Sequence, residues 1–189
     1  MIGIDEVGRG CWAGPLLVVA TRHISDLPTG LADSKVLSKK RREALFYDIQ
    51  LSCDLGEGWV QPKEIDLIGL GGAMHLGVAR ALAALGAQTR EEIILDGSFN
   101  YCPKSFTNTQ CVIDADATHP IVSAASIYAK VLRDKYMTEA STQYPHYQFE
   151  RHVGYGTRLH QEMLKLHGTC ALHRMSFKPL QNLAAIVDG

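Results

Sequence analysis

Asp5 and Glu6 are adjacent acids inside an otherwise apolar segment, Ile2-Gly3-Ile4-Asp5-Glu6-Val7. Side chains alternate across a strand, so one of the two is expected to point toward a covered face. A lone buried carboxylate is costly. Two further aspartates stand at element edges, Asp96 at the end of Ile93-Ile94-Leu95 and Asp116 ahead of Pro120. In an open α/β sheet, carboxylates gathered at strand ends beside a crevice tend to form the site. Four such groups within a few Å would repel one another unless cations neutralise them, and hard divalent ions with oxygen ligands, Mg²⁺ or Mn²⁺, suit that task. The plainer alternative makes each acid a turn or cap residue. For Asp96 alone, before Gly97, that alternative is the better one; nothing in strand or turn propensity asks for two acids between Ile4 and Val7.

Gly8-Arg9-Gly10-Cys11-Trp12-Ala13 fits the GxGxxA dinucleotide fingerprint, with Asp33 placed twenty residues beyond Ala13. That fingerprint must open a helix, whereas Gly14-Pro15 here leads into Leu16-Leu17-Val18-Val19-Ala20, a strand-like run. The oxidoreductase reading is therefore set aside. A Gly-Arg-Gly turn beside paired acids has another use, since glycine permits close backbone approach and arginine binds phosphate or ribose oxygens. Five late histidines (His146, His152, His160, His167, His173) match no zinc spacing and read as exposed or ordinary hydrogen-bonding residues. Seven basic against four acidic residues lie between Arg133 and Lys178, with Tyr144, Tyr147, Phe149 and Tyr155 in or beside them. Such a mixture suits sugar or base stacking along a backbone-tracking groove, with aromatic core as the alternative, preferred for Phe149.

The elements that must position these residues follow from periodicity. Ile2–Val7 and Leu16–Ala20 predict a hairpin of two strands. Ser38 is expected to cap a helix to about Gln50, whose basic first turn (Lys39 to Arg42) opposes the helix dipole and reads as a solvated face, with phosphate binding the lesser alternative. A strand near Leu51 to Val60, a short helix from Pro62 interrupted by Gly69, Gly71 and Gly72, and a core helix from Met74 to Leu85 come next. Two strands, Glu92–Asp96 and Thr109–Asp114, each end at an aspartate; helices then run from Pro120 to about Thr142 and from Thr157 to His167, stopped by Gly168. The expected class is α/β in one domain over residues 1–189.

The chain has 189 residues, 46% hydrophobic and 21% charged, which excludes disorder and a disulfide miniprotein. The longest uninterrupted apolar run, Pro15 to Ala20, is too short to span a bilayer, so no membrane helix is expected. Acids near Met1 argue against an export signal, and five scattered cysteines without CxxC spacing point to a reducing cytoplasm. A net charge of −1 means that binding a polyanion would need local patches or bound cations.

Taken in order, Asp5-Glu6-Val7-Gly8-Arg9-Gly10 with Ala13-Gly14-Pro15, Asp33-Ser34-Lys35, Leu95-Asp96-Gly97, Asp116 with Ser123-Ala124-Ala125-Ser126-Ile127, Arg133-Asp134, Tyr144-Pro145, Gly154-Tyr155-Gly156-Thr157, His160 and His173-Arg174 resemble bacterial ribonuclease HII over nearly the whole chain. The resemblance implies a ribonuclease H-like mixed β-sheet flanked by helices, with residues 144–189 as a helical substrate-binding extension. It implies hydrolysis of the RNA strand of RNA/DNA hybrids and cleavage on the 5′ side of ribonucleotides embedded in duplex DNA, leaving 3′-hydroxyl and 5′-phosphate ends. Asp5, Glu6, Asp96 and Asp116 would hold two Mg²⁺ or Mn²⁺ ions. Gly8, Arg9 and Gly10 would recognise the ribose hydroxyl and its phosphate, Tyr155 would sit against the next sugar, and Ser34 or Lys35 would touch backbone phosphate. A monomer is expected. Asp114-Ala115-Asp116 stands where bacterial members have Gly-Asp, and the spacing to Ser126 favours Asp116 as the ligand. The rival readings are a DNA-directed nuclease of the same fold, a catalytically silent hybrid binder, and the oxidoreductase set aside above.

Overall fold

The computed structural model describes residues 1–187, with side-chain surroundings for residues 1–182. Residues 188 and 189, part of the expected C-terminal extension, lie outside the described residues. Strands β1 (Ile2–Val7), β2 (Leu16–His23), β3 (Cys53–Val60), β4 (Ile93–Asp96) and β5 (Thr109–Val112) form one sheet in the order β3-β2-β1-β4-β5. Helices α1 (Lys39–Ser52), α2 (Pro62–Leu85), α3 (Ala115–Thr118), α4 (Pro120–Gln143), α5 (Phe149–His152), α6 (Arg158–His167) and α7 (Lys178–Val187) complete the chain, with a 3₁₀ turn at Pro145–Tyr147. β1 pairs antiparallel with β2 and parallel with β4, and β4 pairs parallel with β5, so the sheet is mixed as expected.

The chain falls into two compact units. The first holds Met1–Val7, Leu17–Trp59 and Met74–Leu132. In it Leu17, Val19 and Ile94 pack with Leu45, Phe46 and Ile49 of α1 and with Val122, Ala125 and Ala129 of α4, while Ile2, Ile4, Val18, Ala20 and Leu95 pack with Val78, Ala81 and Leu82 of α2. Both faces of β1 and β2 are thus covered, which is why β2 reads as an unbroken apolar run. Gly3 has a packing reason: a Cβ there would lie 2.6 Å from the Ile121 carbonyl carbon, so a larger residue would push α4 off β1. The second unit holds Gly8–Leu16, Val60–Ala73 and the chain from Arg133 onward. Its core is Ala13, Met137, Tyr147, Phe149, Leu164 and Leu180.

Local signals place most boundaries. Ser38 caps α1 by accepting from the Arg41 amide, Thr157 caps α6 by accepting from the His160 amide, and Gly168 ends α6 with positive φ. Three expectations need correction. β5 stops at Val112 rather than Asp114, because Asp114 adopts a left-handed backbone, φ 56°, which ends the strand and opens α3. Of the three glycines expected to break the Pro62 helix only Gly69 does so, with φ 70° and ψ 168° inside α2. Finally, α2 is long and apolar enough to cross a membrane by length and composition, although no uninterrupted apolar run in the sequence is. Near-neutral glycines break the run without making the segment polar, and part of its apolar surface serves the core.

Candidate active site

In the first unit, Asp5 follows the last register pair of the parallel ladder, Ile4 with Leu95, so Asp5 and Asp96 succeed it on neighbouring strands and on one face. Asp5 is buried, and its Oδ1 accepts from the Glu6 amide at 2.7 Å. Its carboxylate is also hydrogen-bonded to Ser126, one turn beyond Val122 on α4. Glu6, next along the strand, is half-buried, so the two adjacent acids differ in cover as alternation requires. Asp96 ends β4, and its Oδ1 accepts from the Ala115 amide at 2.7 Å, tying the strand end to the first residue of α3. Asp116 lies buried in that helix, its backbone carbonyl accepting from the Ser123 hydroxyl at 2.6 Å. Asp114 is exposed.

Burial, followed by the Glu6 charge, pushes the Asp5 carboxyl well above the ordinary range, against the hydrogen bonds from Ser126 and the Glu6 amide, and Asp96 adds to the rise. Burial also raises Asp116; the Lys35 ammonium opposes the rise, and the Asp33 and Asp96 charges add to it. Lys35 is exposed, yet its Nζ lies 3.3 Å from Asp116 Oδ2 and 3.5 Å from Asp33 Oδ1. Burial disfavours its charge most, but Asp116 and then Asp33 carry its affinity for the proton above the usual value. Ser34 is buried with its hydroxyl 2.9 Å from that of Ser126, and Arg42 donates to its carbonyl. Ser34 therefore backs the serine that holds Asp5, and Lys35 is the exposed cation of the pair.

These acids form an all-oxygen donor set carrying excess negative charge in low-dielectric surroundings, the chemistry that a hard divalent cation fits. Among the described residues no three His, Cys, Asp or Glu are drawn together closely enough to form a ready-made metal cage. Lys35 supplies a positive charge at Asp116. All five cysteines are free thiols.

The second unit carries the remaining sequence-predicted residues. Gly8 has φ 86°, and a Cβ there would strike the Arg133 guanidinium. The Cys11 amide donates back to the Gly8 carbonyl at 3.3 Å, closing the turn over the exposed Arg9 and Gly10. Tyr155 is 41% exposed, and its hydroxyl is hydrogen-bonded to the buried Cys11 thiol. Its backbone is fixed on both sides: the Tyr155 carbonyl faces His160 Nδ1 at 2.9 Å, and the preceding Gly154 carbonyl accepts from the Trp12 and Ala13 amides.

Comparison with known proteins identifies this arrangement. A family model described as Ribonuclease HII matches residues 2–180. The chain belongs to the ribonuclease HII family. Ribonuclease HII of Novosphingobium aromaticivorans is 41% identical over 96% of this chain and 97% of its own length. Among solved structures, a chain of the PCNA:RNase HII complex from Archaeoglobus fulgidus superposes with a TM-score of 0.78 at 27% identity, covering 96% of this chain and 95% of that one. Ribonuclease H2 from Pyrococcus horikoshii OT3 gives 0.76 at 25% identity, over 99% and 98%. The sheet and helices above are thus the ribonuclease H-like fold, and the chain is a hydrolase of the ribonuclease H class, an endoribonuclease.

Within this ribonuclease HII chain the structure also brings forward residues that spacing could not single out. Ser126 reaches Asp5 from α4, more than a hundred residues away in sequence. Arg133 and Arg174 are fully buried, and among the described residues their side chains donate to backbone carbonyls alone. His152, His160 and His173 are not exposed but form one buried, mutually packed group. Tyr147 joins Phe149 in the core, which removes it from any stacking surface.

Proposed function

We propose that this chain hydrolyses the RNA strand of RNA/DNA hybrids and cuts on the 5′ side of ribonucleotides embedded in duplex DNA. The observation that carries the reading is Asp5: a buried carboxylate on the central strand, held by Ser126 and pressed by Glu6 and Asp96 into needing a cation. Asp5, Glu6, Asp96 and Asp116 would hold two divalent ions, Mg²⁺ or Mn²⁺. Held by these residues, such ions would supply activation of a water and stabilisation of the leaving oxygen in an in-line displacement. The water oxygen joins phosphorus as the bond to the 3′ oxygen breaks, leaving 3′-hydroxyl and 5′-phosphate ends.

The protein's own part is placement. Ser126 and the Glu6 amide orient Asp5, and the α3 amide orients Asp96, so neither carboxylate must reorganise during reaction. Backbone amides of the Gly8-Arg9-Gly10 turn contact the 2′-hydroxyl, the one group that separates ribose from deoxyribose. The Tyr155 ring packs on the next sugar, and residues from 144 onward supply further hold on the duplex. The test is cleavage of duplexes with zero, one and four ribonucleotides in Mg²⁺, Mn²⁺ or EDTA. Cleavage of the latter two substrates with either metal, and of none in EDTA, is expected. Equal cutting of all-DNA duplex, or binding without turnover in Mn²⁺, would sink the proposal.

A further inference from the structure

Arg174 is fully buried in the second unit, and what it holds there is main chain. Its Nε donates to the Gly14 carbonyl and its Nη1 to the Arg9 carbonyl, both at 3.0 Å, and its own amide donates to the Trp12 carbonyl at 2.9 Å. No carboxylate is among its hydrogen-bond partners, and Nη2 has none at all among the described residues. Burial pulls the guanidinium down to about 10, so the charge is held at a cost that an apolar residue of similar volume would avoid.

The geometry of the peptide unit shows what that cost secures. In a planar trans peptide the carbonyl and the following N–H point in opposite directions. The Arg9–Gly10 peptide is trans, and its carbonyl is drawn onto the buried Arg174. The Gly10 N–H must therefore point the other way, out of the unit. Gly10 is exposed, a Cβ placed on it would meet no atom within 4 Å, and its N–H has no hydrogen-bond partner among the described residues. A bare outward donor with open space around it is what close contact with a sugar hydroxyl requires.

We propose that Arg174 is a positioning residue for ribose recognition: by fixing the Arg9 carbonyl inward it aims the Gly10 N–H outward at the 2′-hydroxyl. This rests on the ribonucleotide-cleaving function proposed above and names the atom that reads the sugar. The rigid fork of arginine serves two carbonyls at once; the single ammonium of lysine keeps the charge without that geometry.

The experiment measures affinity in EDTA, where no turnover occurs, for matched duplexes with one or no ribonucleotide. Arg174→Lys and Arg174→Met are expected to lower the ratio of the two affinities by up to roughly tenfold, the scale of one neutral hydrogen bond, while all-DNA affinity stays within about twofold. A merely structural role would weaken both affinities together and leave the ratio intact. A second measurement needs no variant: with ¹⁵N-glycine labelling, and the Gly10 peak assigned from its loss in Gly10→Ala, that amide should shift on adding the ribonucleotide duplex and not the DNA duplex. An unchanged ratio in both variants, or a Gly10 amide indifferent to the 2′-hydroxyl, overturns the inference. A parent protein that neither prefers nor cuts the ribonucleotide duplex overturns the functional reading beneath it instead.

Discussion

Lowering the pH from 7 to 4 should destabilise the second unit through two particular rings, His160 and His173. Their hydrogen bonds assign the protons. His160 Nδ1 faces the Tyr155 carbonyl at 2.9 Å and carries a hydrogen, so its Nε2 is an acceptor. His173 Nδ1 accepts from the Cys170 amide at 2.8 Å, so its Nε2 carries the hydrogen shared across the 3.0 Å gap to His160 Nε2. A proton added to either ring breaks one of these bonds. Burial, with the nearby imidazoles, pulls each down to about 4. An unfolded chain protonates these rings near 6.5, so it binds more protons than the native state between about pH 6.5 and 4. Their stabilisation is therefore complete above that window, falls with pH across it, and by pH 4 has dropped by about 3 kcal/mol for each ring at 1.36 kcal/mol per unit. Glu150, lowered chiefly by its bond from Ser141, and Tyr147 and Cys170, both raised by burial, bring no new charge there within that range. The assay is guanidinium unfolding between pH 7.5 and 4, followed by the fluorescence of Trp12, whose ring lies 5.9 Å from that of His160, in a Trp59→Phe background that leaves no other tryptophan. His152, stacked on His160 and also lowered by burial, adds to the slope in the same direction. His173→Gln, polar but not titrating, should therefore remove one ring's share, about 3 kcal/mol between pH 7 and 4, and the difference cancels carboxylates and the other histidines common to both proteins. Equal slopes, or imidazole resonances titrating near 6.5 in the native state, would refute the argument.

Three further outcomes follow from the geometry. Asp5→Asn should abolish turnover and, in EDTA, raise stability at pH 7 by on the order of 1 kcal/mol, because it removes a buried charge while keeping the acceptor for the Glu6 amide; a lower unfolding midpoint would contradict this. Asp116→Asn should reduce cleavage to background with duplex binding retained, whereas Asp114→Asn, on an exposed turn, should stay active; the reverse result would move the ligand assignment. Gly8→Ala should cost at least about 2 kcal/mol in a denaturation experiment, since φ 86° is strained for alanine and the new methyl meets Arg133; a stability unchanged within error would show that the turn relaxes freely.

Much of this was legible where the signal is local. The hairpin of β1 and β2, the Ser38 and Thr157 caps and the Gly168 stop follow from neighbouring residues alone, and so does the rejection of a dinucleotide site, because Gly14-Pro15 does run into β2. The unequal cover of Asp5 and Glu6 also follows from alternation along a strand. What could not be read depends on long-range partners. Ser126 matters through Asp5, Arg174 through carbonyls some 165 residues earlier, and His160 through His173 across a loop. A buried arginine and an exposed one look alike in a sequence, and the histidine spacings carry no period that would mark a shared cluster. Asp114 misled for a different reason, since strand propensity in Val112-Ile113 hides a left-handed turn, a conformation that aspartate adopts more readily than most residues.

The central position of β1 has a consequence for how the protein comes into being. Its hairpin partner β2 is synthesised within the next sixteen residues, but its other neighbour, β4, begins ninety-one positions later at Ile93. Asp5 therefore leaves the ribosome early, with one edge of its strand paired and the other open, while Asp96, Asp116 and Ser126 are still untranslated. Closing that gap is a non-local parallel pairing, the slow kind. A nascent chain arrested before β4 is made can hold the hairpin, yet it has neither the serine that orients Asp5 nor two of the four acids. On the proposed chemistry, a truncated product carries no stray nuclease activity, and competence arrives in one late step.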